Sequence, residues 1–265
     1  MYRQHFGLNR LPFEPPAHSD ELFLSAGTRE TETRLQHLLA LRGIGLLTGE
    51  PGCGKTSACR RLAEQLNPGL HRVCYVSLST GTVIDTYQSI GWSLGLEVPR
   101  YRAPACQAIR REIARLGEAG QQPLLILDEA HNLRHEVLEE LRLLTNYRMD
   151  SERRLCLLLI GQSELRRRLA MAVHEALAQR IVVRYHLDGL QRDELEAFLQ
   201  HALRLAGCER PLFEPQACEA LYQASHGLPR QVGRLAHYSL AAAALAKARR
   251  ASAEHVQQAC KEACP

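Results

Sequence analysis

The sequence lacks the features that mark membrane-spanning and secreted proteins. No stretch reaches the roughly 18 uncharged apolar residues that a membrane-spanning helix requires, and residues 1–8 lack the apolar core of a signal peptide. The nine cysteines include no C-x-x-C pair, and several lie inside apolar runs such as 73–76. This pattern is typical of buried, reduced cysteine without a disulfide framework or a zinc site. We therefore expect a soluble, cytoplasmic protein with no membrane partner.

Length and charge leave the class of function open. A chain of 265 residues forms one large or two ordinary domains, and either buries enough surface to need no disulfides. The net charge of +4 is compatible with a polyanionic partner but does not require one. No internal repeat or low-complexity tract is present. The motifs therefore have to decide the function.

The strongest motif is a phosphate-binding loop. Residues 49–56 read GEPGCGKT, the full GxxxxGK[ST] pattern, directly after the apolar run 44–47. Glycines let successive N–H groups point at phosphate, the lysine bridges the β- and γ-phosphates, and the Thr hydroxyl ligates Mg²⁺. A helix that opens at this point adds its positive dipole end. The predicted nucleotide-binding residues are Gly49, Glu50, Pro51, Gly52, Cys53, Gly54, Lys55, Thr56 and Ser57.

A second motif supplies the acidic groups that hydrolysis needs. The apolar run 124–127 is followed by Asp128 and Glu129. A strand that fixes Asp128 at its carboxyl end lets this residue hold Mg²⁺ through water, together with Thr56, and Glu129 then orients and deprotonates the attacking water. The alternative is a buried strand that ends in solvated acidic residues. The phosphate-binding loop upstream favours the catalytic interpretation.

Three polar residues further along the chain are candidates for contact with the phosphates. Gln162 follows the apolar run 155–160 and either holds the water or senses phosphate, or it only precedes a helix whose N-cap is Ser163. Arg180 and Arg230 carry planar, permanently charged groups that stabilise charge on phosphate oxygens. A lone arginine is also a common solvated surface group.

The order of apolar segments predicts an α/β fold. Residues 1–27 combine three prolines with scattered aromatics and predict an ordered, extended arm that docks on a surface. Continuous apolar strands alternate with amphipathic helices through residue 187, which predicts a parallel sheet with helices on both faces. One of these helices is predicted over 163–177. Residues 188–265 carry only helical patterns and predict a small all-helical domain. The predicted strands are 44–48, 73–78, 124–128, 155–160 and 181–187.

Together these motifs resemble those of the AAA+ ATPases, which are P-loop NTPases with a helical lid domain. The resemblance implies ATP as the nucleotide and an active site that is completed at a subunit interface. In that family the arginine that corresponds to Arg180 reaches into the site of a neighbour. Gln162 occupies the position called sensor 1, where many members carry Asn, Ser or Thr, and Arg230 occupies sensor 2.

A narrower resemblance is to the ExeA/GspA-like group. It rests on Y-x-x-x-F-G-L with P-F in the arm, on DEAHNL at 128–133, on GQSEL at 161–165 and on Q-R-I at 179–181. The group contains secretion ATPases and transposition ATPases similar to TnsC, TniB, IstB and MuB. Secretion members usually continue into a membrane span and a peptidoglycan-binding region. We expect the transposition branch, because the sequence contains neither.

Members of that branch bind double-stranded DNA as ATP-dependent oligomers, mark a target and recruit a transposase. The resemblance thus implies duplex DNA, a transposase and further copies of the chain as partners, in a hexameric ring or a helical filament. Two alternatives are a secretion-associated ATPase that acts on a protein partner and a helicase-loader-like ATPase switch.

In transposition relatives the DNA contacts come from the interval between the second strand and the acidic strand. Arginines there can bind phosphates without reading bases, and a solvated helix face is the equal alternative. The basic runs 153–154 and 166–168 are expected on the outer surface, and His131 in the turn after the acidic pair. The DNA candidates are Thr80, Thr82, Arg100, Tyr101, Arg102, Arg110 and Arg111.

Overall fold

The apolar segments of the sequence form β-strands in the computed structural model, which describes residues 2–16, 18–77, 81–149 and 151–263. Within these residues the strands make one parallel sheet in the order β2-β3-β4-β1-β5. Side chains of both faces are buried along β1 and β4, which requires cover on both sides of the sheet. The predicted parallel α/β fold is confirmed. The strands are β1 (Ile44–Thr48), β2 (His71–Ser77), β3 (Gln122–Asp128), β4 (Cys156–Gly161) and β5 (Ile181–His186).

Helices connect the strands and make up the C-terminal region. α4 shows how their ends are fixed: Thr82 and Asp85 form a capping box at its start, and Gly95, with φ of 84°, ends it. No helix in the described ranges is long and apolar enough to cross a membrane. The helices are α1 (Tyr2–Phe6), α2 (Ala26–Leu41), α3 (Lys55–Gln65), α4 (Val83–Leu94), α5 (Arg102–Glu118), α6 (His135–Leu144), α7 (Ser163–Leu169), α8 (Glu175–Ala178), α9 (Leu195–Leu205), α10 (Pro215–Ser225), α11 (Pro229–Leu245) and α12 (Ala253–Ala263).

The prediction of one helix over 163–177 was wrong. α7 ends at Leu169, a 3₁₀ turn covers Ala172–His174, and α8 begins at Glu175. A straight helix would turn Leu177 about 80° away from Leu169, yet both side chains are buried, as is His174. No glycine or proline signals the break. The burial of these three side chains, and not local helix propensity, determines the position of the break.

The packing of the chain divides it into two units. One unit comprises Glu30–Gly49 and Ala58–Leu187 and contains the sheet. The other comprises Met1–Arg29, Glu50–Ser57 and Asp188–Pro265. The second unit therefore unites the N-terminal arm, the phosphate-binding loop and the C-terminal helices.

The N-terminal arm docks on the C-terminal helices within its own unit. Tyr2 and Phe6 are buried there, and the Tyr2 hydroxyl lies 2.9 Å from Nδ1 of His237 on α11. The expectation of a fully extended arm was wrong at its start, because residues 2–6 form α1. The prolines begin only at Pro12, so nothing prevents this helix, which Gly7 ends with φ of 69°.

A polar network around the buried Glu140 joins three helices of the sheet-containing unit. The Tyr87 hydroxyl of α4 donates to Oε2 of Glu140 on α6 at 2.5 Å, and the Arg102 guanidinium of α5 donates to the other oxygen of Glu140. Burial and the hydrogen bond to Glu140 raise the pKa of Tyr87, so the phenol remains a donor. Because Tyr87 and Glu140 are buried, each needs the other as a partner.

Replacing Glu140 with alanine tests this network. We expect the Glu140→Ala variant to lose about 1 to 3 kcal/mol of unfolding free energy, the cost of a buried donor that has lost its acceptor. Glu136→Ala on the same helix is the control, because Glu136 is exposed and a first-turn carboxylate contributes at most about 1 kcal/mol. Urea denaturation measures both variants. Equal losses would contradict the role given to Glu140.

Candidate nucleotide-binding site

The sheet brings the two predicted site positions 128 and 162 to the edge at which β1 also ends. In a parallel sheet the carboxyl ends of all strands lie on the same side. Asp128 ends β3, Gly161 ends β4 just before Gln162, and Thr48 ends β1 opposite Gly161. The Thr48 hydroxyl lies 2.9 Å from Nδ1 of His186 at the end of β5, which fixes the strand end from which the phosphate-binding loop continues.

The phosphate-binding loop has the backbone that its glycines predict. Gly52 and Gly54 adopt φ of 84° and 108°, a region that side chains with a Cβ rarely enter. Lys55, the first residue of α3, is buried, and its Nζ donates to the Glu50 carbonyl at 3.0 Å. The lysine therefore folds back across the loop. Burial raises the pKa of the Cys53 thiol, although the Lys55 ammonium opposes this effect.

Arg230 packs on this loop within the same unit. Its backbone N–H donates to the Gly52 carbonyl at 3.3 Å. A Cβ on Gly52 would come within 2.7 Å of the Arg230 Cβ, so glycine is required by this contact as well as by its φ. The start of α11 is thereby held against the loop, while the Arg230 residue is exposed. Sequence reasoning placed Arg230 at a phosphate site, and this role stays a prediction.

Asp128 is held by two hydrogen bonds in the sheet-containing unit. It is 4% exposed, its Oδ2 accepts from the Tyr75 hydroxyl at 2.9 Å, and its Oδ1 accepts from the Glu129 N–H at 2.8 Å. Burial of the phenol and the Asp128 contact raise the pKa of Tyr75 to about 12, so Tyr75 keeps its proton and donates. Sequence reasoning missed Tyr75, which no motif marks.

Glu129 begins a tight turn directly after Asp128. Its φ of 55° lies in the left-handed region, where a non-glycine residue is strained. Its half-exposed carboxylate lies 3.4 Å from Nδ1 of the buried His131 ring, a nitrogen that has no hydrogen-bond partner. The predicted position of His131 in this turn agrees with the 3₁₀ turn Ala130–Asn132.

Arg168 of α7 fastens the same turn. Its guanidinium donates to the carbonyl of His131 and, at 2.6 Å, to that of Leu133. The side chain is partly buried, so the expectation that the run 166–168 lies on the outer surface does not hold for Arg168. Nothing in the sequence distinguishes it from Arg166 and Arg167, because the difference lies in which helix face meets the turn. Arg168 thus fixes the backbone that follows Glu129.

Gln162 and Arg180 occupy the positions expected from the sequence. Gln162 lies between β4 and α7 and is partly exposed, and its side chain makes no cap hydrogen bond to the helix. Arg180 is partly exposed immediately before β5. Their roles in sensing phosphate and in acting on a neighbouring copy stay predictions.

Two of the DNA candidates make contacts with groups of other helices and loops of the fold. Arg102 is paired with Glu140. Arg110 donates to the carbonyls of Leu143 and Asn146 and lies 4.6 Å from the Tyr147 ring centroid. These contacts stabilise the fold, so they give both arginines a structural task that the sequence did not indicate. Arg100 and Arg111 are exposed, as are Thr82 and Tyr101, and Thr80 lies outside the described residues.

The chemistry of these residues fits a nucleoside triphosphate with Mg²⁺. Mg²⁺ prefers one or two carboxylates together with waters and phosphate oxygens. In the described ranges no three His, Cys, Asp or Glu side chains group to hold a metal by themselves, whereas a hydroxyl, a fixed carboxylate and a phosphate-binding loop are all present. These are residue types that suit an Mg²⁺ ion bound together with a nucleotide.

Comparison with known proteins defines the class of this chain. Residues 39–169 match the family model described as "AAA domain". The crystal structure of Cdc6p from Pyrobaculum aerophilum superimposes with a TM-score of 0.72 at 18% identity, covering 95% of this chain and 70% of that chain. The chain contains an AAA domain and has the fold of the AAA+ P-loop NTPases, as its motifs predicted.

Two curated proteins are more specifically similar. The general secretion pathway protein A of Aeromonas hydrophila is 35% identical over 246 residues, which are 92% of this chain and 45% of the relative. The ATP-dependent target DNA activator B of Escherichia phage Mu is 34% identical over 122 residues, 43% of this chain and 37% of the relative. The chain spans less than half the length of each. The predicted resemblance to both branches is confirmed.

The contact between Gly52 and Arg230 gives a direct test of the loop. We expect Gly52→Ala to weaken nucleotide binding and to lower the melting temperature, because the new Cβ collides with Arg230. Gly120→Ala is the matched control: Gly120 has φ of 77° and nothing within 4 Å of the new Cβ, so it carries only the backbone strain of roughly 1 to 2 kcal/mol. Fluorescent-nucleotide titration and thermal melting measure both. Equal behaviour of the two variants would contradict the contact.

Proposed function

We propose that the protein binds ATP with Mg²⁺ and hydrolyses it. The backbone of the phosphate-binding loop carries this proposal, because two left-handed glycines and a lysine folded over the loop are what phosphate binding by backbone N–H groups requires. In this proposal Mg²⁺ binds the Thr56 hydroxyl and, through water, Asp128. The phosphates bind Gly49, Glu50, Pro51, Gly52, Cys53, Gly54, Lys55, Thr56 and Ser57.

Glu129 is the proposed general base. Its carboxylate is half exposed and so is open to water, and it follows directly on the fixed Asp128. The Arg168 contacts restrain the turn on which Glu129 lies. A base held at a defined position deprotonates a bound water efficiently.

Three polar residues complete the proposed site. Gln162 orients the water or senses the γ-phosphate, and Arg230 contacts phosphate from the start of α11. Arg180 stabilises charge on the phosphate of a neighbouring copy, which makes hydrolysis dependent on assembly. Arg180 is partly exposed, so part of the residue is at the surface where such a neighbour would bind.

We further propose that ATP drives assembly of several copies on double-stranded DNA, in the cytoplasm, and that the assembly recruits or activates a transposase. Similarity to a target DNA activator supports this proposal. So does the α4–α5 surface, which we define as Trp92, Arg100, Tyr101 and Arg111. Trp92 and Tyr101 are 68% and 78% exposed. Exposed arginine and aromatic side chains suit a polyanion, because arginine binds phosphate regardless of sequence.

A second candidate is an ATPase that acts on a protein partner in secretion. The similarity to general secretion pathway protein A supports it, since that match extends over 92% of this chain. Both candidate functions require a change of state on ATP binding, and they differ only in the partner that the ATP-bound state binds. The salt dependence of DNA binding distinguishes them, because phosphate contacts weaken steeply as salt rises.

The first test is ATP-dependent assembly on DNA. We expect the wild-type protein to form oligomers on duplex DNA with ATP, and Lys55→Ala to form none, because it lacks the charge that bridges the phosphates. Glu129→Gln should still assemble and should stay assembled longer, since hydrolysis ends the ATP state. Analytical ultracentrifugation with labelled DNA measures both. A wild-type protein that stays monomeric with ATP and DNA would exclude the DNA proposal.

The α4–α5 surface is tested in the same assay. Replacing Arg100 and Arg111 together with alanine should lower the slope of log affinity against log salt by about 2, close to one unit per phosphate contact. Replacing the exposed pair Arg249 and Arg250 with alanine is the control for loss of charge alone. An equal effect of both pairs would show that net charge, not this surface, determines binding.

The second test concerns Arg180. We expect Arg180→Ala to bind ATP normally and to hydrolyse it about a thousandfold more slowly, the usual value of an arginine that stabilises transferring phosphate. Mixing it with Glu129→Gln subunits, which still assemble, should restore part of the activity, because one variant supplies the arginine and the other supplies the general base. Phosphate release measures the recovery. Unchanged turnover, or no recovery on mixing, would remove Arg180 from this role.

A further inference from the structure

The Tyr75 hydroxyl makes a side-chain hydrogen bond to Asp128. Tyr75 lies on the edge strand β2 and donates to Oδ2 of Asp128 at 2.9 Å. We propose that Tyr75 is a positioning residue that orients the Asp128 carboxylate toward Mg²⁺. The inference rests on the proposed function, because it assigns a residue to the same metal site.

The strand register explains why Tyr75 reaches Asp128. In the parallel pair of β2 and β3, Tyr75 lies opposite Ile126 and Ser77 lies opposite Asp128. Side chains two residues apart on a strand point to the same face. Tyr75 and Asp128 therefore share a face at a diagonal position, and a long side chain with a terminal donor spans that distance. A residue at position 75 without a terminal donor would leave Oδ2 without this contact.

The two hydrogen bonds to Asp128 hold its carboxylate plane. One oxygen accepts from Tyr75, and the other accepts from the Glu129 backbone, so the group cannot rotate without breaking both bonds. Each carboxylate oxygen has two lone pairs, so an oxygen that accepts one of these hydrogen bonds is able to accept a second from a water bound to the metal. Fixing an outer ligand in this way raises metal affinity, and loss of such a contact typically costs about 10- to 100-fold.

The alternative is that Tyr75 only stabilises the sheet. Tyr75 is 48% exposed, so its ring contributes less to the core than the buried aromatic Tyr87. If the role of Tyr75 were purely structural, its substitution would lower stability and would weaken nucleotide binding to the same degree with and without metal. If Tyr75 positions Asp128, its substitution changes the Mg²⁺ requirement, while the affinity for nucleotide alone stays the same.

The experiment compares Tyr75→Phe with the wild-type full chain. Binding of fluorescent ADP and ATP is measured in EDTA and over a range of Mg²⁺ concentrations, and Mn²⁺ binding is followed by electron paramagnetic resonance. We expect the affinity in EDTA to stay within twofold and the Mg²⁺ and Mn²⁺ concentrations for half-saturation to rise about tenfold. Tyr147→Phe is the matched control, because it removes a buried hydroxyl that has no hydrogen-bond partner.

A double-mutant cycle makes the assignment specific. In an Asp128→Asn background, Tyr75→Phe should cause little further change in the Mg²⁺ requirement, because both substitutions act on one contact. An unchanged Mg²⁺ requirement in Tyr75→Phe, or an equal loss of affinity in EDTA, would overturn the inference. If the wild-type chain itself binds nucleotide without regard to Mg²⁺, the proposed function fails instead.

Discussion

The parallel pairing of β3, β4 and β1 is the constraint on which the rest of the structure depends. Parallel strands end at one edge of a sheet, and the apolar strands are buried on both faces, so polar side chains are tolerated only where the strands stop. Asp128, Gln162 and Thr48 lie at or directly after these ends. The hydrophobic burial that orders the strands therefore also selects where chemistry can take place.

Both motifs contain residues with left-handed backbone. Gly52 and Gly54 in the phosphate-binding loop and Glu129 after the acidic strand all have positive φ. For glycine this conformation is nearly free of strain, whereas for Glu129 it costs of the order of 1 to 3 kcal/mol and must be maintained by its surroundings. Arg168 supplies part of that restraint through the carbonyls of His131 and Leu133.

Arginine performs several different tasks in this protein. Arg102 neutralises a buried carboxylate, Arg110 binds carbonyls at the end of α6, and Arg168 binds those of the turn after Glu129. Arg100 and Arg111 remain exposed. A guanidinium with five donors suits carbonyl, carboxylate and phosphate alike. The number of basic residues in an interval therefore says little about nucleic-acid binding until the internal partners are known.

Sequence alone determined the class of the fold, the strands to within about two residues, the loop at 49–56 and the acidic pair. Each of these depends on a local pattern: apolar runs, glycine spacing, or polar residues where a strand ends. Tertiary structure alone decided which distant side chains meet. It joined Tyr75 to Asp128, placed the start of α11 against Gly52, engaged Arg168, and broke the helix predicted over 163–177. These features depend on strand register and on which helix face is buried, and neither is encoded by residues close together in the chain.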